Sequence, residues 1–285
     1  MNEIMREELK DYTKKKEYVI CIDSDGCVMD TMEIKHMRCL APCLVHIWEL
    51  ERYRDEMLHL WRDTCLLSEH RGANRFKGLA IVLQNIHENY QRIEGLEEYN
   101  AWVEEATELS LETLELAYQA SGNVCMKKAL EWSKLVNQSM SMVADHKKIP
   151  FEGVKEALLA VYKEVDVVIV SAAIREEVEK EWKNAGMDQY TDFLMTQETG
   201  IKSECLKGLL EKGYAPNHIL MVGDAPVDLL AANEAGVLFF PVLATHEMES
   251  WKIFPDIVKR FLNEEYEGEF EDEIICTFYK NLRML

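Results

Sequence analysis

Three features are scarce in this sequence of 285 residues: long apolar runs, paired cysteines and positive charge. No stretch approaches the roughly 18 apolar residues that a membrane-spanning helix needs. The first twenty residues also contain no apolar run long enough for the core of a signal peptide. We therefore expect a cytoplasmic protein with no membrane partner.

The eight cysteines show no C-x-x-C arrangement, and the eight histidines are scattered along the chain. This spacing is not typical of a zinc site, which needs clustered ligands, and it does not indicate a disulfide framework. Several cysteines lie inside apolar periodic segments. We expect them to be buried free thiols.

Lysine and arginine total 32 against 52 acidic residues, which gives a net charge of −20. Such a charge repels a phosphate backbone, so we expect no nucleic-acid partner. Hydrophobic residues make up 48% of the chain and charged residues 29%, which excludes collagen-like and largely disordered proteins. At about 150 residues per domain the length predicts two domains. We expect the protein to be a monomer or a homodimer.

Short apolar runs that end in polar turns predict five buried strands, and helical segments separate the later ones. The runs cover residues 18–22, 165–170, 193–196, 219–222 and 237–240. Strands alternating with helices predict an α/β fold with a parallel sheet covered on both faces.

Residues 32–146 show helical rather than strand spacing, as in Met37, Leu40 and Leu44. We predict an all-helical domain at residues 32–146, inserted into an α/β domain made of residues 1–31 and 147–285. Near the end of the chain we expect the acidic residues 264–273 to form a solvated loop.

Six polar residues lie at or beyond the ends of the predicted strands, where ligands bind in open parallel sheets, and four of the six are aspartates. Four carboxylates meeting there would raise each other's pKa values unless a divalent cation neutralised them, and oxygen ligands suit Mg²⁺. Each residue alone could be a turn former, a cap or a surface charge, but turn chemistry does not need all of them together. The set is Asp23, Asp25, Ser171, Lys202, Asp224 and Asp228.

The motifs around these residues resemble the haloacid dehalogenase-like hydrolases, in the branch that includes phosphoglycolate phosphatases and β-phosphoglucomutase. Residues 23–31 (DSDGCVMDT) resemble the first motif of that family and residues 168–171 (VIVS) the second. Lys202 falls at the position of the third-motif lysine, and residues 223–228 (GDAPVD) resemble the fourth motif. The resemblance covers about residues 17–243 and implies a Rossmann-like sheet with a helical cap inserted after the first strand.

The resemblance also implies a role for each residue. Asp23 would attack phosphorus and form an aspartyl-phosphate, and Asp25 would act as the general acid and then the general base. Mg²⁺ would be held by Asp23, the backbone carbonyl of Asp25 and Asp224, with Asp228 in support. In addition, Lys202 would stabilise the charge of the transferring group.

Ser171 would hydrogen-bond a phosphoryl oxygen, and Ala172 beside it would complete the substrate contact. The sequence departs from the family at Cys27, Ala172 and Ser203, where Thr, Asn and Pro are usual. None of these changes removes a catalytic group.

Substrate choice is expected to lie in the cap, which would close over the site and exclude water. The basic, glycine-containing stretch at residues 70–78 suggests Arg71, Asn74 and Arg75 as contacts to an anionic or hydroxylated substrate. A solvated loop between helices is the alternative interpretation of that stretch.

The function predicted from the sequence is a Mg²⁺-dependent phosphatase acting on a small phosphorylated metabolite. A sugar-phosphate mutase would use the same core residues, and a non-catalytic phospho-ligand-binding protein would use the same fold. A dehalogenase is disfavoured, because that chemistry needs neither Asp25 nor the acidic cluster.

Overall fold

A computed structural model describes residues 7–10 and 12–285. Within that part of the chain, five parallel strands form one sheet, and the predicted α/β fold is confirmed. The strands are β1 (Val19–Ile22), β2 (Asp166–Val170), β3 (Phe193–Met195), β4 (Ile219–Gly223) and β5 (Leu238–Pro241). Their order across the sheet is β3-β2-β1-β4-β5, a Rossmann-like arrangement with the first strand at the centre.

Strand β1 is completely buried because it lies between two neighbours and has helices on both faces of the sheet. Its residue Val19 pairs with Asp166 of β2 and with Ile219 of β4. All residues of β1, β2 and β4 are buried. The continuous apolar runs in the sequence reflect this position, since a strand covered on both faces has no polar side.

Contact density divides the chain into two compact units, residues 1–32 with 145–285, and residues 33–144. The second unit is helical. Its region contains the helices α1 (Met32–Ile34), α2 (Ala41–Ile47), α3 (Arg54–Cys65), α4 (Arg75–Asn89), α5 (Leu96–Glu105), α6 (Leu111–Ser121) and α7 (Val124–Ser141). A π-helical segment, Lys35–Leu40, connects α1 to α2, and a 3₁₀ turn, Glu51–Tyr53, precedes α3.

Buried tryptophans hold the π-helical segment in place. The indole of Trp61 donates to His36 Nδ1 at 3.0 Å, and that of Trp132 donates to the carbonyl of Leu40 at 3.1 Å. The two indole rings pack 5.9 Å apart between centroids. Each buried N–H therefore has an acceptor, which is the condition for placing tryptophan in a core.

Residues 145–285 of the α/β unit contain six α-helices. They are α8 (Val154–Val161), α9 (Arg175–Asn184), α10 (Lys202–Glu211), α11 (Pro226–Ala235), α12 (Glu247–Leu262) and α13 (Glu269–Asn281). Short 3₁₀ turns occupy Asp145–Lys147, Asp188–Tyr190 and Pro216–His218.

The eight cysteines all lie in the described part of the chain and are free thiols, and every one except Cys276 is buried, as predicted. Among the described residues, no helix combines the length and the apolarity needed to cross a membrane.

The prediction of a solvated acidic loop at residues 264–273 is only partly right. Helix α13 begins inside this run, and Glu271 turns inward to accept a hydrogen bond from the backbone N–H of Phe239 at 2.8 Å. The hydroxyl of Tyr266 donates to the backbone carbonyl of Phe239 at 2.7 Å. Phe239 belongs to the edge strand β5, so side chains of the C-terminal segment satisfy outward backbone groups that an exposed edge would leave open.

Burial raises the pKa of Glu271 above its ordinary value of 4.5, although the Phe239 N–H opposes this shift. A raised pKa means that the folded protein binds the proton more tightly than the unfolded chain. The wild type therefore loses stability as pH rises through and above that ordinary value. We expect Glu271→Gln, which keeps an acceptor oxygen but has no charge, to be at least as stable as wild type near neutral pH. This difference should shrink in mildly acidic buffer.

Glu271→Ala, which removes the acceptor, should lower the free energy of unfolding by about 1 kcal/mol or more. Urea denaturation in neutral and acidic buffer measures both variants. The exposed Glu273 of the same helix supplies the control, since Glu273→Gln should leave stability unchanged. A Glu271→Gln protein that is less stable than wild type at neutral pH would show that the charge, rather than the acceptor oxygen, holds the strand.

Candidate functional site

Three aspartates meet at the carboxyl end of the sheet. Asp23 directly follows β1, Asp224 directly follows β4, and Asp228 lies in the first turn of α11. All three side chains are buried, and one carboxylate oxygen from each lies within 4.8 Å of those from the other two. The central position of β1 beside β4 produces this cluster, because neighbouring parallel strands end at the same edge.

Lys202 provides the positive charge at this cluster. It is the first residue of α10, and its ammonium lies 2.9 Å from Asp23 Oδ1 and 2.5 Å from Asp228 Oδ1. Burial alone would lower the pKa of Lys202, but Asp228 and Asp23 outweigh that effect and the pKa is raised. Lys202 is therefore a permanent cation, held between the two carboxylates.

One ammonium does not compensate three buried carboxylates. Burial raises the pKa of Asp23, Lys202 lowers it, and the charges of Asp228 and Asp224 raise it again, so the net shift is upward. A converging set of buried oxygen ligands with excess negative charge fits a hard divalent cation, which would remove this penalty. The donor set suits Mg²⁺ better than zinc, because it contains neither cysteine nor histidine.

Asp228 contacts Lys202 and also holds the loop after β4. Its Oδ2 accepts from the backbone N–H groups of Asp224 at 3.2 Å and of Ala225 at 3.0 Å. A Cβ added at Gly223 would lie 2.4 Å from side-chain atoms of Asp228, so only glycine fits beside it. Both carboxylate oxygens of Asp228 are thus engaged within the protein, which supports a role in organising the site.

Asp25 is not one of the three aspartates whose oxygens meet. Its carboxylate accepts a short hydrogen bond from the hydroxyl of Thr31. The loop between them is tight: the backbone N–H groups of Val28 and Met29 both donate to the carbonyl of Ser24, at 2.9 and 2.8 Å. The sequence groups Asp25 with the other acids, whereas in the structure the group of converging carboxylate oxygens is formed by Asp23, Asp224 and Asp228.

Ser24, between the two motif aspartates, is a site residue that the sequence analysis did not single out. The indole N–H of Trp182 on α9 donates to its Oγ at 3.0 Å, and both residues are 1% exposed. A side-chain anchor therefore fixes the backbone that carries both aspartates. The sequence places Trp182 on the inward face of its helix, but no local pattern pairs it with a serine 158 positions away.

The remaining predicted site residues of the α/β unit, Ser171 and Ala172, lie at the end of β2. Ser171 is buried, and its Oγ accepts from the backbone N–H of Ala173 at 3.2 Å. Its hydroxyl proton is still able to donate, because a serine hydroxyl can accept and donate at once. Ala172 beside it is exposed.

Two of the residues predicted to bind substrate from the helical region, Arg71 and Asn74, have structural partners. Arg71 is 4% exposed and its Nη1 donates to the carbonyl of Leu66 at 3.0 Å, so this part of the stretch is not a solvated loop. Asn74 caps helix α4, since its Oδ1 accepts from Phe76 N at 2.9 Å and its Nδ2 donates to the carbonyl of Leu109 at 3.0 Å.

Arg75, the third of these residues, begins α4. Its Nη1 lies 2.7 Å from Asn137 Oδ1 and 3.5 Å from Ser133 Oγ, both on α7. These contacts tie two helices of the helical unit together. Whether Arg71, Asn74 and Arg75 also bind substrate stays a prediction.

A comparison with protein families matches residues 75–242 to the haloacid dehalogenase-like hydrolases. The matched range includes Ser171, Lys202, Asp224 and Asp228. It begins after the first strand, so Asp23 and Asp25 are placed by their motif and by the structure rather than by this match. No curated protein sequence matches the chain.

Solved structures share the fold at low sequence identity. A haloacid dehalogenase-like family hydrolase from Xanthomonas campestris is 13% identical with a TM-score of 0.52, over 89% of this chain and 96% of its own. A candidate β-phosphoglucomutase from Thermotoga maritima is 15% identical with a TM-score of 0.50, over 85% of this chain and 99% of its own. A candidate haloacid dehalogenase-like hydrolase from Bacteroides fragilis is 15% identical with a TM-score of 0.50, over 82% of this chain and 93% of its own.

At these identities the solved structures establish the fold alone, while the family match extends over more than half of the chain. The match contains the residues that carry the second, third and fourth motifs, and the structure brings Lys202, Asp224 and Asp228 together with Asp23. The chain therefore belongs to the haloacid dehalogenase-like hydrolases.

Proposed function

We propose that this protein is a Mg²⁺-dependent phosphatase that hydrolyses a small phosphorylated metabolite through an aspartyl-phosphate at Asp23. The observation that carries the proposal is the buried contact of Asp23 with Lys202, beside Asp224 and Asp228. A nucleophilic carboxylate, a fixed cation and an acidic metal-binding set are the groups that such chemistry requires.

In the first step an oxygen of Asp23 bonds to phosphorus, and the ester oxygen leaves with the bonding electron pair. Asp25 donates a proton to that leaving oxygen. In the second step Asp25 takes a proton from water, whose oxygen bonds to phosphorus and releases the Asp23 carboxylate with inorganic phosphate. Asp25 lies outside the cluster of three aspartates and its carboxylate accepts a hydrogen bond from Thr31, which supports its assignment as the acid and base.

Asp23, Asp224 and the backbone carbonyl of Asp25 would hold Mg²⁺, with Asp228 holding the loop that carries Asp224. The bound cation would supply positive charge to the phosphoryl oxygens and relieve the repulsion among the aspartates. Lys202 adds a second positive charge at Asp23. Ser171 and Ala172 would contact the phosphoryl group from the end of β2.

The first prediction concerns the nucleophile and the cation. Wild type should release phosphate from a panel of small phosphomonoesters only with Mg²⁺, and chelation should abolish the activity. Asp23→Asn should lose turnover by a factor of about a thousand or more, because an amide is a poor nucleophile. The exposed Asp256 provides a control, and Asp256→Asn should retain wild-type activity.

Three outcomes would contradict parts of this proposal. Turnover that survives in Asp23→Asn would exclude the aspartyl-phosphate, and turnover without a divalent cation would exclude the metal. A requirement for a sugar bisphosphate with little phosphate release would indicate a mutase instead.

The second prediction concerns Arg75. If it contacts the part of the substrate beyond the phosphate, Arg75→Ala should raise KM about tenfold or more for the preferred metabolite, since a lost charge-assisted hydrogen bond costs this much. A small artificial phosphoester should be hydrolysed nearly as before. The exposed Arg92 is the control, and Arg92→Ala should change neither. Equal losses on both substrates, together with a lower melting temperature, would assign Arg75 only to its contacts with Asn137 and Ser133.

A further inference from the structure

Two loops at the carboxyl end of the sheet carry residues that the proposed function assigns to the phosphoryl group. The loop after β2, residues 171–174, begins with Ser171. The loop after β3, residues 196–201, leads directly into Lys202 at the start of α10. We call them the serine loop and the lysine loop. Movement of either loop would therefore move a residue that the proposed function assigns to the phosphoryl group.

The two loops are hydrogen-bonded to each other. The backbone N–H of Gln197 in the lysine loop donates to the carbonyl of Ala173 in the serine loop at 3.1 Å. The backbone N–H of Arg175, the first residue of α9, lies 3.2 Å from each carboxylate oxygen of Glu198. Movement of one loop is therefore transmitted to the other.

A third segment, which precedes the first strand, contacts the lysine loop and Arg175, the helix residue that directly follows the serine loop, through one carboxylate oxygen. Glu8 Oε2 accepts from Arg175 Nη2 at 3.0 Å and also from the hydroxyl of Thr199 in the lysine loop. Thr199 is fully buried, and its Oγ1 in turn accepts from the backbone N–H of Thr196 at 2.9 Å. The side chain of Glu8 thus reaches the internal hydrogen bonds of the lysine loop.

This contact differs from an ordinary surface ion pair, which contributes little. The side chains of Glu8 and Arg175 are 26% and 34% exposed, and the second donor, Thr199, is inaccessible to water. The adjacent Glu7 gives the comparison within the same segment, because it is 77% exposed and pairs with Lys10 at 3.3 Å. Of these two neighbouring glutamates, Glu8 is the one that contacts Arg175 and the lysine loop.

We infer that Glu8 is a positioning residue that holds the serine loop and the lysine loop in the arrangement that places Ser171 and Lys202 on the phosphoryl group. The inference rests on the proposed phosphatase function for the roles of those two residues. Lys202 follows Thr199 by three positions, so loosening of the lysine loop displaces the start of α10 and its ammonium. A displacement of about 1 Å in such a group can lower a rate by as much as a hundredfold.

The test compares full-length Glu8→Ala with Glu7→Ala as the matched control. With a small artificial phosphoester, Glu8→Ala should lower kcat about tenfold and weaken inhibition by inorganic phosphate by a similar factor. Glu7→Ala should match wild type in both values.

Hydrogen–deuterium exchange gives a readout that does not depend on catalysis. Peptides covering residues 171–175 and 196–201 should exchange faster in Glu8→Ala than in wild type, while exchange elsewhere in the sheet and in Glu7→Ala stays unchanged. If wild type hydrolyses no phosphoester, the proposed function fails, and the exchange experiment still decides whether Glu8 holds the loops.

Two results would overturn the inference. One is a folded Glu8→Ala protein with wild-type exchange in both loops and wild-type inhibition by phosphate. The other is a uniform loss of activity and protection across the whole α/β unit, which would assign Glu8 to general stability. If Glu8→Ala does not fold, Glu8→Gln, which keeps the side-chain length but loses the charge, decides the question by the same measurements.

Discussion

The ammonium of Lys202 lies between the carboxylates of Asp23 and Asp228, and the buried charge of this group constrains everything around it. Removing Lys202 would take its ammonium away from Asp23 and Asp228 inside a buried cluster of three aspartates, a change that burial makes costly. The position of Lys202 depends in turn on where α10 begins. The loop before that helix is consequently part of the proposed active site, even though it contributes no proposed reacting group.

The sheet supplies the other half of this constraint. Asp23 and Asp224 are brought together because β1 pairs with β4 in parallel, with Ile22 opposite Val222. Gly223 allows the side chain of Asp228 to pass close to the backbone, where it accepts two amide hydrogen bonds and still reaches Lys202. Backbone pairing of β1 with β4 therefore places Asp23 and Asp224. Side-chain contacts place Lys202 and the loops around the cluster.

This division explains which features the sequence could predict. Strand ends are encoded locally by an apolar run followed by polar residues, so Asp23, Ser171 and Asp224 were identifiable from pattern alone. The parallel sheet and its five strands followed from the same signals. Strand boundaries differed by a residue or so, as at β4, which extends to Gly223.

Side-chain pairs between distant positions were not predictable in this way. The bond between Trp182 and Ser24 spans 158 positions, and that between Thr199 and Glu8 spans 191. The inward turn of Glu271 likewise depends on a partner, the backbone N–H of Phe239, that only the folded chain brings near. Composition treats Glu8 and Glu271 as two members of a large acidic excess, and only their surroundings distinguish them from solvated charges.

The proposed covalent step at Asp23 is tested most directly by trapping the phosphorylated enzyme. Wild type is mixed with Mg²⁺ and a phosphomonoester that it hydrolyses, quenched in acid during turnover, and digested for mass spectrometry. The peptide that contains Asp23 should carry one added phosphoryl group, located on Asp23 by fragmentation and absent from Asp23→Asn. Rapid turnover with no phosphoryl group on Asp23 at any quench time, or with the group on another residue, would contradict the assignment of Asp23 as the nucleophile.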